Sequence, residues 1–148
     1  MADIVDRATR SRMMSGIRGR DTKPEWIIRR GLHRLGFRYR LHARELSGCP
    51  DLLFPSRGAA IFIHGCFWHG HDCVLFKWPE SREDFWRKKI EGNSERDRRA
   101  ITQLSADGWR VAVVWECALK GGGKDHGAVV QRMAAWLNSE VPRIEVKG

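Results

Sequence analysis

The sequence predicts one α/β domain built around a mixed sheet. Its 148 residues are enough for one hydrophobic core and too few for two. Two runs, 59–63 and 109–115, are almost entirely apolar, which is typical of strands buried on both faces. Helical patterns separate these runs, and strands joined by a helical crossover are usually parallel. The turn residues at 55–58 instead join two strands directly, as in an antiparallel hairpin.

Capping and periodicity define the elements of the N-terminal half. Thr22, Pro24 and Glu25 form a capping box with proline in the first turn, so a helix begins there and extends to about Gly36. Alternating apolar and polar residues predict a strand at 37–41. Apolar runs bounded by turn residues predict two more strands, at 51–54 and 59–63. The segment 66–80 has no regular pattern and is expected to be irregular.

The C-terminal half is predicted to contain three helices and one strand. Ser81 caps a helix that extends through Ile90, and a second helix begins near Asn93 and ends near Gly108. A strand at 109–115, a glycine-rich loop at 120–127, a helix at 129–137 and a polar tail follow. The expected organisation is a basic arm at 1–20, a domain at 21–140 and a tail at 141–148.

Nothing in the sequence predicts a membrane or secreted protein. No apolar run approaches the ~20 residues of a membrane-spanning helix, and the N-terminus lacks the features of a signal peptide. We therefore expect a cytoplasmic protein, whose thiols are kept reduced. Its cysteines are then metal ligands, catalytic groups or core residues rather than disulfides: Cys49, Cys66, Cys73 and Cys117. Cys49, beside Pro50, is expected to be a core thiol.

An excess of basic residues indicates a polyanionic partner. The formal net charge is +9, and residues 1–40 alone hold eleven Arg or Lys against four Asp or Glu. Ten of the eleven are arginines, which bind phosphates bidentately and stack on bases. A solubility surface and an RNA-binding arm are the alternatives, and no segment has the apolar face needed at a bilayer interface. The arm at 1–20 carries Arg7, Arg10, Arg12, Arg18 and Arg20.

Two thiols and two imidazoles stand within eight consecutive residues of the irregular segment. With Cys117, just past the last predicted strand, Cys66, Cys73 and one histidine would complete a structural zinc site. His71 is the better fourth ligand because it stands two residues from Cys73, which leaves His69 to face a substrate. The alternatives are a disulfide between Cys66 and Cys73, or burial of both as ordinary apolar residues.

A second group has the residue types of a nuclease metal site. Phosphodiester cleavage needs a hard cation on oxygen ligands, for which Asp51 is the obvious carboxylate and Glu25 a second. Histidines would handle protons: His69 would take one from the attacking water, and His64 would hydrogen-bond the phosphate or the leaving oxygen. Asp97 would orient one imidazole. Taken alone, Asp51 would be interpreted as a turn residue, but the two histidines favour the metal site.

Aromatic residues crowd into the segment 62–86, which holds half of the fourteen in the chain. Most of them are expected in the core, as an aromatic stripe usually is. Phe67 and Trp68 stand instead in a loop rich in glycine and histidine, between the candidate zinc ligands. Aromatic side chains can wedge between base pairs, so we expect this pair to contact nucleic acid.

These motifs resemble the very-short-patch repair (Vsr) endonucleases. The resemblance covers the chain from residue 7 to the last helix and leaves only the C-terminal tail outside. It implies a restriction-endonuclease-like fold of the PD-(D/E)xK type, with a mixed central sheet between helices in three layers and a structural zinc. The segments that carry it are PD at 50–51, HGCFWHGHDC at 64–73, ERDRR at 95–99 and VWECAL at 114–119, with RATRS at 7–11, RDT at 20–22 and Glu25.

The resemblance also implies an activity. The enzyme would nick one DNA strand on the 5′ side of the thymine in a T·G mismatch, with Mg²⁺ as catalytic cofactor and Zn²⁺ as structural cofactor. Such mismatches arise when 5-methylcytosine is deaminated, so the implied partners are mismatched duplex DNA and the DNA repair machinery. We expect a monomer.

The family's functional residues carry over to matching positions. The implied magnesium ligands are Asp51 and the backbone carbonyl of Ile63, with Glu25 near the metal-bound waters. The catalytic imidazoles are His64 and His69, the second supported by Asp97. The zinc ligands are Cys66, His71, Cys73 and Cys117. The DNA-contacting residues are Phe67, Trp68 and Trp86 from the major groove, Met14 from the minor groove, Lys89 and the five arginines of the arm.

The absence of one lysine distinguishes this sequence from ordinary restriction enzymes and agrees with the Vsr family. Residues 61–64 contain no lysine where those enzymes usually carry one after the second acidic strand. Two other functions remain possible on the sequence: a nuclease of the same fold acting on ordinary duplex or on other mismatches, and a catalytically silent, zinc-containing DNA-binding module.

Overall fold

The structure is a computed structural model, and it describes residues 22–121 and 123–148. Met14 and the arm arginines at positions 7, 10, 12, 18 and 20 lie outside the described residues. Among the described helices, none has the length and apolar character that crossing a bilayer requires.

A mixed sheet of five strands forms the centre of the described chain, with the strands side by side in chain order. The first three strands pair antiparallel, and the last three pair parallel. This confirms the α/β class, the hairpin across the turn at 55–58 and the parallel crossover. The strands are β1 (Arg40–Leu41), β2 (Leu52–Phe54), β3 (Ala59–His64), β4 (Arg110–Trp115) and β5 (Arg143–Val146).

Two helices cover one face of the sheet: α1 (Lys23–Arg34) and α3 (His126–Leu137). Helix α1 begins as predicted, since the Glu25 N–H donates to Thr22 Oγ1 at 3.4 Å. Gly31 lets the two helices approach closely, because a β-carbon there would lie 2.5 Å from Val130 Cγ2. The core on this face includes Ile28, Leu32, Ile61, Val114, Met133 and Leu137.

The third helix, α2 (Glu83–Ala106), covers the opposite face. Leu104 packs there against Val111 and Val113, while Ala112 and Val114 belong to the first core. Successive residues of β4 therefore point to opposite faces, and both faces are buried. The sheet is thus the middle layer between helices on both sides.

The prediction of two helices between 81 and 108 was wrong, since α2 is one continuous helix of 24 residues. Asn93, the predicted start of the second helix, instead uses its side chain to donate from Nδ2 to the Trp68 carbonyl at 2.9 Å. Ser94 Oγ likewise donates to the His69 carbonyl at 2.8 Å. Ser81 is not the cap either; Arg82 holds that position with left-handed backbone and no side-chain capping bond.

The predicted polar tail contains a strand. Residues of β5 pair parallel with β4, and Val146 is buried in the first core. Without β5, the buried strand β4 would have an unpaired edge. Arg110 connects the β2–β3 turn to the end of α3, because its guanidinium donates to the carbonyls of Arg57, Trp136 and Leu137.

The prediction that Cys49 lies in the core was wrong, because its side chain is exposed. It stands in the connection between β1 and β2, where Gly48 and Cys49 both have left-handed backbone, with φ of 75° and 51°. Such dihedrals turn the chain sharply, and here the thiol lies at the surface.

Candidate active site and metal clusters

Two histidines and one aspartate meet at the carboxyl end of β3. His64 ends that strand, His69 lies in the loop after it, and Asp97 comes from the middle of α2. The His69 Nδ1 and Asp97 Oδ2 atoms are hydrogen-bonded, and His64 Nε2 lies 3.9 Å from Asp97 Oδ1. The two imidazole rings stack, with centroids 3.9 Å apart and planes 7° apart. One carboxylate therefore faces both imidazoles that the sequence analysis selected.

His64 is an uncharged, buried base in this environment. Its burial and the neighbouring His69 together lower the pKa to about 3, although Asp97 opposes the shift. Only 5% of the residue is exposed, and Nδ1 has no hydrogen-bond partner among the described residues. A neutral imidazole has one N–H donor and one acceptor nitrogen, so this side chain can donate a hydrogen bond without carrying a charge.

Asp51 meets a second group of side chains beside the first. Its Oδ2 accepts the Ile63 N–H at 2.7 Å, which connects it to the residue before His64. Burial raises the pKa of Asp51 well above its usual value, and the adjacent Glu25 carboxylate raises it further. Ligand atoms of Glu25, His42 and Asp51 all lie within 4.8 Å of one another. The two carboxylates selected from the sequence are thus neighbours at one end of the hairpin.

His42 is a member of this group that the sequence analysis missed. Its Nε2 lies 2.9 Å from Glu25 Oε1, and its backbone N–H donates to the Asp51 carbonyl at 3.0 Å. The strand register indicates that His42 lies beside Asp51, because Leu41 pairs with Leu52 and the next antiparallel pair is 42 with 51. That register could not be read from the sequence around a two-residue strand.

The third group is the predicted thiol cluster. One ligand atom from each of Cys66, His71, Cys73 and Cys117 lies within 4.8 Å of the others. The Cys117 N–H donates to Cys66 Sγ at 3.3 Å, and Cys117 Sγ lies 3.5 Å from His71 Nδ1. His69 instead contacts Asp97, so the geometry separates the two histidines as the sequence spacing suggested.

The chemistry of this donor set fits a structural zinc ion. Thiolates and a neutral imidazole are the ligands of closed tetrahedral zinc sites. Burial raises the pKa of the Cys66 thiol, and the nearby Cys73 and Cys117 thiols raise it further, so a cation is what would hold it as thiolate. Burial also lowers the pKa of His71, which keeps its ring neutral. Trp115 stacks on that ring with centroids 4.0 Å apart.

An aromatic wall stands beside the histidines. Phe67, Trp68 and Trp86 contact one another with ring centroids 5.1 to 5.8 Å apart. They line a cavity of about 900 Å³ together with His64 and His69. Lys89 lies one turn after Trp86 on α2 and is not among the lining residues. The cavity therefore joins the candidate wedge residues to the candidate catalytic residues.

Three further residues hold this loop in ways the sequence did not predict. Glu116 Oε1 accepts the Cys66 N–H at 3.2 Å, and the carboxylate lines the same cavity. Asn93 and Ser94 bind the loop carbonyls from α2, as described above. Acidic and amide residues on helices are common, so spacing alone gave no signal for these contacts.

Fold and site together define a nuclease-like α/β protein. A histidine–carboxylate cluster and a pair of neighbouring carboxylates meet where β2 begins and β3 ends. A cavity with aromatic walls lies beside the histidines, and the chain has a net charge of +9. A sequence profile described as DNA mismatch endonuclease Vsr matches residues 2–75. The chain belongs to the Vsr family, which confirms the resemblance seen in the sequence.

Individual relatives agree with this membership over most of the chain. The chain is 45% identical to DNA mismatch endonuclease Vsr of Escherichia coli strain K12, covering 95% of this chain and 90% of that protein. It is 47% identical to the type II nicking enzyme V.XorIIP of Xanthomonas oryzae pv. oryzae, covering 90% and 95% respectively. It is 44% identical to the type II nicking enzyme V.NmeAIP of Neisseria meningitidis serogroup A, covering 81% and 86%.

Proposed function

We propose that this protein is a DNA mismatch-repair endonuclease that nicks one strand on the 5′ side of the thymine in a T·G mismatch. The observation that carries the proposal is the meeting of Asp51, through Ile63, with the stacked pair of His64 and His69. Names of the relatives, a mismatch endonuclease and nicking enzymes, support the same reaction. The fold assigned with it is the restriction-endonuclease-like fold of PD-(D/E)xK type.

A magnesium ion belongs to this proposal. Asp51 and the backbone carbonyl of Ile63 would hold it, and the Glu25 carboxylate would lie near its waters. When bound, the ion would polarise the scissile phosphate and neutralise developing charge. The fit rests on the two neighbouring carboxylates: burial and the adjacent Glu25 raise the pKa of Asp51, and a divalent cation would favour its ionised form.

The histidines would handle the protons of phosphodiester hydrolysis. His69 would accept the proton of the attacking water, and its contact with Asp97 fixes the ring and favours the imidazolium that forms. His64, neutral and buried, would hydrogen-bond the phosphate or the leaving oxygen. Because the two rings stack, both would lie beside one phosphate of the bound strand.

The zinc cluster would fix the loop that presents the aromatic residues. Cys66, His71, Cys73 and Cys117 would bind Zn²⁺, and Phe67 and Trp68 stand between the first two of these ligands. A mismatch is easier to unstack than a paired step, so Phe67, Trp68 and Trp86 would enter there from the major groove. Met14 would enter from the minor groove.

Basic residues would supply affinity that does not depend on sequence. Lys89 and the arm residues Arg7, Arg10, Arg12, Arg18 and Arg20 would contact the DNA backbone, so binding should weaken as salt is raised. The protein would act as a cytoplasmic monomer that passes nicked DNA to the repair machinery.

One assay separates this function from its alternatives. End-labelled duplexes carrying T·G or C·G at one position are incubated with Mg²⁺ or EDTA, and products are mapped to single nucleotides. We expect a magnesium-dependent cut beside the mismatched thymine only. Cleavage of both duplexes, or of other mismatches, would indicate a nuclease of broader specificity. Tight mismatch binding without a cut would indicate a silent DNA-binding module.

A further inference from the structure

His42 has no role in the function proposed above, yet its side chain lies beside the carboxylates of Glu25 and Asp51. Its side chain is 12% exposed, and that of the neighbouring Glu25 is 2% exposed. A largely buried imidazole beside two carboxylates adds a nitrogen donor to a set of oxygen donors. This composition differs from the all-oxygen set that Mg²⁺ prefers.

The spacing of the donor atoms suits a common cation. His42 Nε2 and Glu25 Oε1 are 2.9 Å apart, and the ligand atoms of Glu25, His42 and Asp51 lie within 4.8 Å of one another. Neighbouring ligands of an octahedral cation with bonds of about 2.1 Å stand about 3.0 Å apart. The imidazole and the carboxylate therefore have the separation of adjacent ligands.

Hydrogen bonds to the protein fix the orientation of both carboxylates. Arg29 Nη1 donates to Glu25 Oε2 at 3.1 Å, and the Ile63 N–H donates to Asp51 Oδ2 at 2.7 Å. These contacts hold one oxygen of each carboxylate. Such outer contacts are typical of metal sites, where they orient the ligands.

The backbone at His42 is also constrained. Its φ is 49°, in the left-handed region that residues other than glycine rarely adopt. The His42 N–H donates to the Asp51 carbonyl at 3.0 Å, so the strained residue is tied directly to the principal carboxylate. Strain of this kind is found where a side chain must be held for function.

We infer that His42 is a ligand of the catalytic cation at Asp51, that Glu25 binds this cation directly instead of only through its waters, and that the site prefers Mn²⁺ to Mg²⁺. An imidazole ligand favours first-row transition metals, and Mn²⁺ combines that preference with acceptance of carboxylates and water. The inference rests on the proposed function, in which a divalent cation at Asp51 serves phosphodiester hydrolysis. It adds His42 as a ligand, brings Glu25 into direct contact with the cation, and adds a metal preference to that site.

The test measures Mn²⁺ bound to the zinc-loaded full chain without DNA. Electron paramagnetic resonance of free Mn²⁺ gives the affinity, and pulsed spectra of the bound ion report directly coordinated nitrogen, verified with ¹⁵N-histidine. We expect nitrogen coupling in the unaltered protein. In His42→Gln we expect the coupling to vanish, with Mn²⁺ affinity about 10- to 100-fold weaker and Mg²⁺ affinity changed much less.

Two variants make the result specific. His33→Gln removes an exposed histidine from the helix that carries Glu25, and it should bind Mn²⁺ with unchanged nitrogen coupling. Zinc content and the melting transition confirm that each variant is folded, and His42→Asn replaces His42→Gln if the latter is not. An uncoupled Mn²⁺ signal in the unaltered protein, or coupling that survives loss of His42, would overturn the inference.

Asp51→Asn separates this inference from the function on which it rests. Loss of Mn²⁺ binding in Asp51→Asn, together with an uncoupled signal in the unaltered protein, would remove His42 as ligand and leave the metal site of the proposed function intact. Unchanged Mn²⁺ binding in Asp51→Asn would instead overturn both, because the cation would then lie elsewhere.

Discussion

His64 and His69 stack with their ring centroids 3.9 Å apart and their planes 7° apart. Asp97 contacts His69 through Oδ2 and stands 3.9 Å from His64 Nε2 through Oδ1. A single carboxylate on α2 therefore binds one ring and faces the other, although the histidines belong to a strand and to the loop that follows it. The chemistry of the site depends on a helix that is distant in sequence from both.

Replacing Asp97 by Asn should reduce nicking without affecting DNA binding. The amide keeps the shape of the side chain but cannot favour an imidazolium at His69, and proton transfer of this kind contributes about 10²- to 10⁴-fold. Single-turnover rates on a T·G duplex measure the loss. Asp107→Asn, an exposed residue just past the end of α2, serves as the control and should nick at the normal rate. Equal rates for the two variants would exclude Asp97 from the mechanism.

Asp51→Asn should abolish nicking while mismatch binding persists. Loss of the cation removes several kcal/mol of transition-state stabilisation, which corresponds to about 10³-fold or more in rate. Gel-shift titration and single-turnover cleavage on the same duplex separate the two effects. A variant that cuts at the normal rate would show that the cation is held by other residues.

Trp68→Ala should lower discrimination between T·G and C·G duplexes. Stacking of one base on an aromatic ring is worth about 1–3 kcal/mol, so the preference in binding should fall by roughly 5- to 150-fold. Competition binding with both duplexes gives the ratio. Trp26→Ala removes an exposed tryptophan that does not line the cavity, and its ratio should match that of the unaltered protein. A normal ratio in Trp68→Ala would disprove the wedge role.

Cys117→Ser should release zinc and destabilise the domain. Binding to a structural site stabilises the folded state, so we expect the melting temperature to fall by about 10 °C or more. Elemental analysis of the purified chain and thermal unfolding give the two values. Cys49→Ser is the matched control, since that thiol is exposed and outside the cluster. A Cys117→Ser protein of normal stability would favour an ordinary buried thiol.

Val146→Ala tests whether the C-terminal strand belongs to the domain. Val146 is 2% exposed in the core between the sheet and the helices α1 and α3, so its truncation should cost about 2 kcal/mol of unfolding free energy. Chemical denaturation measures this cost. Val141→Ala makes the same change at a side chain that is 50% exposed and should cost much less. Equal stability of both variants would mean that β5 contributes little.

Local signals predicted most of the fold correctly. The capping residue Thr22 and the apolar runs of β3 and β4 act through neighbours in the chain, so they are visible in the sequence. Asn93 and Ser94 misled the prediction because residues that usually cap helices bind the distant loop carbonyls of Trp68 and His69 instead. These side chains thus form tertiary hydrogen bonds instead of the local capping bonds that their residue types indicate.

In the candidate site too, contacts between residues close in the chain were predicted, and contacts that depend on the tertiary fold were not. Cys66 and His71 lie close in the chain, and spacing chose His71 for the thiol cluster. His42 escaped notice because its place beside Glu25 depends on strand register and a left-handed backbone angle. The short strand β5 carries only a weak alternation, and its pairing depends on the edge that β4 presents in three dimensions.

The continuity of α2 fixes a length within the molecule. Trp86 and Asp97 are eleven residues apart on one helix, which is about three turns and roughly 16 Å along the axis, on nearly the same side. The helix therefore holds the aromatic wall and the histidines at a fixed distance, because α2 has no break at which that distance could change. Adding one residue between them would rotate Trp86 by about 100° relative to Asp97. In the proposed function, this fixed length would determine where the DNA strand is cut relative to the unstacked base.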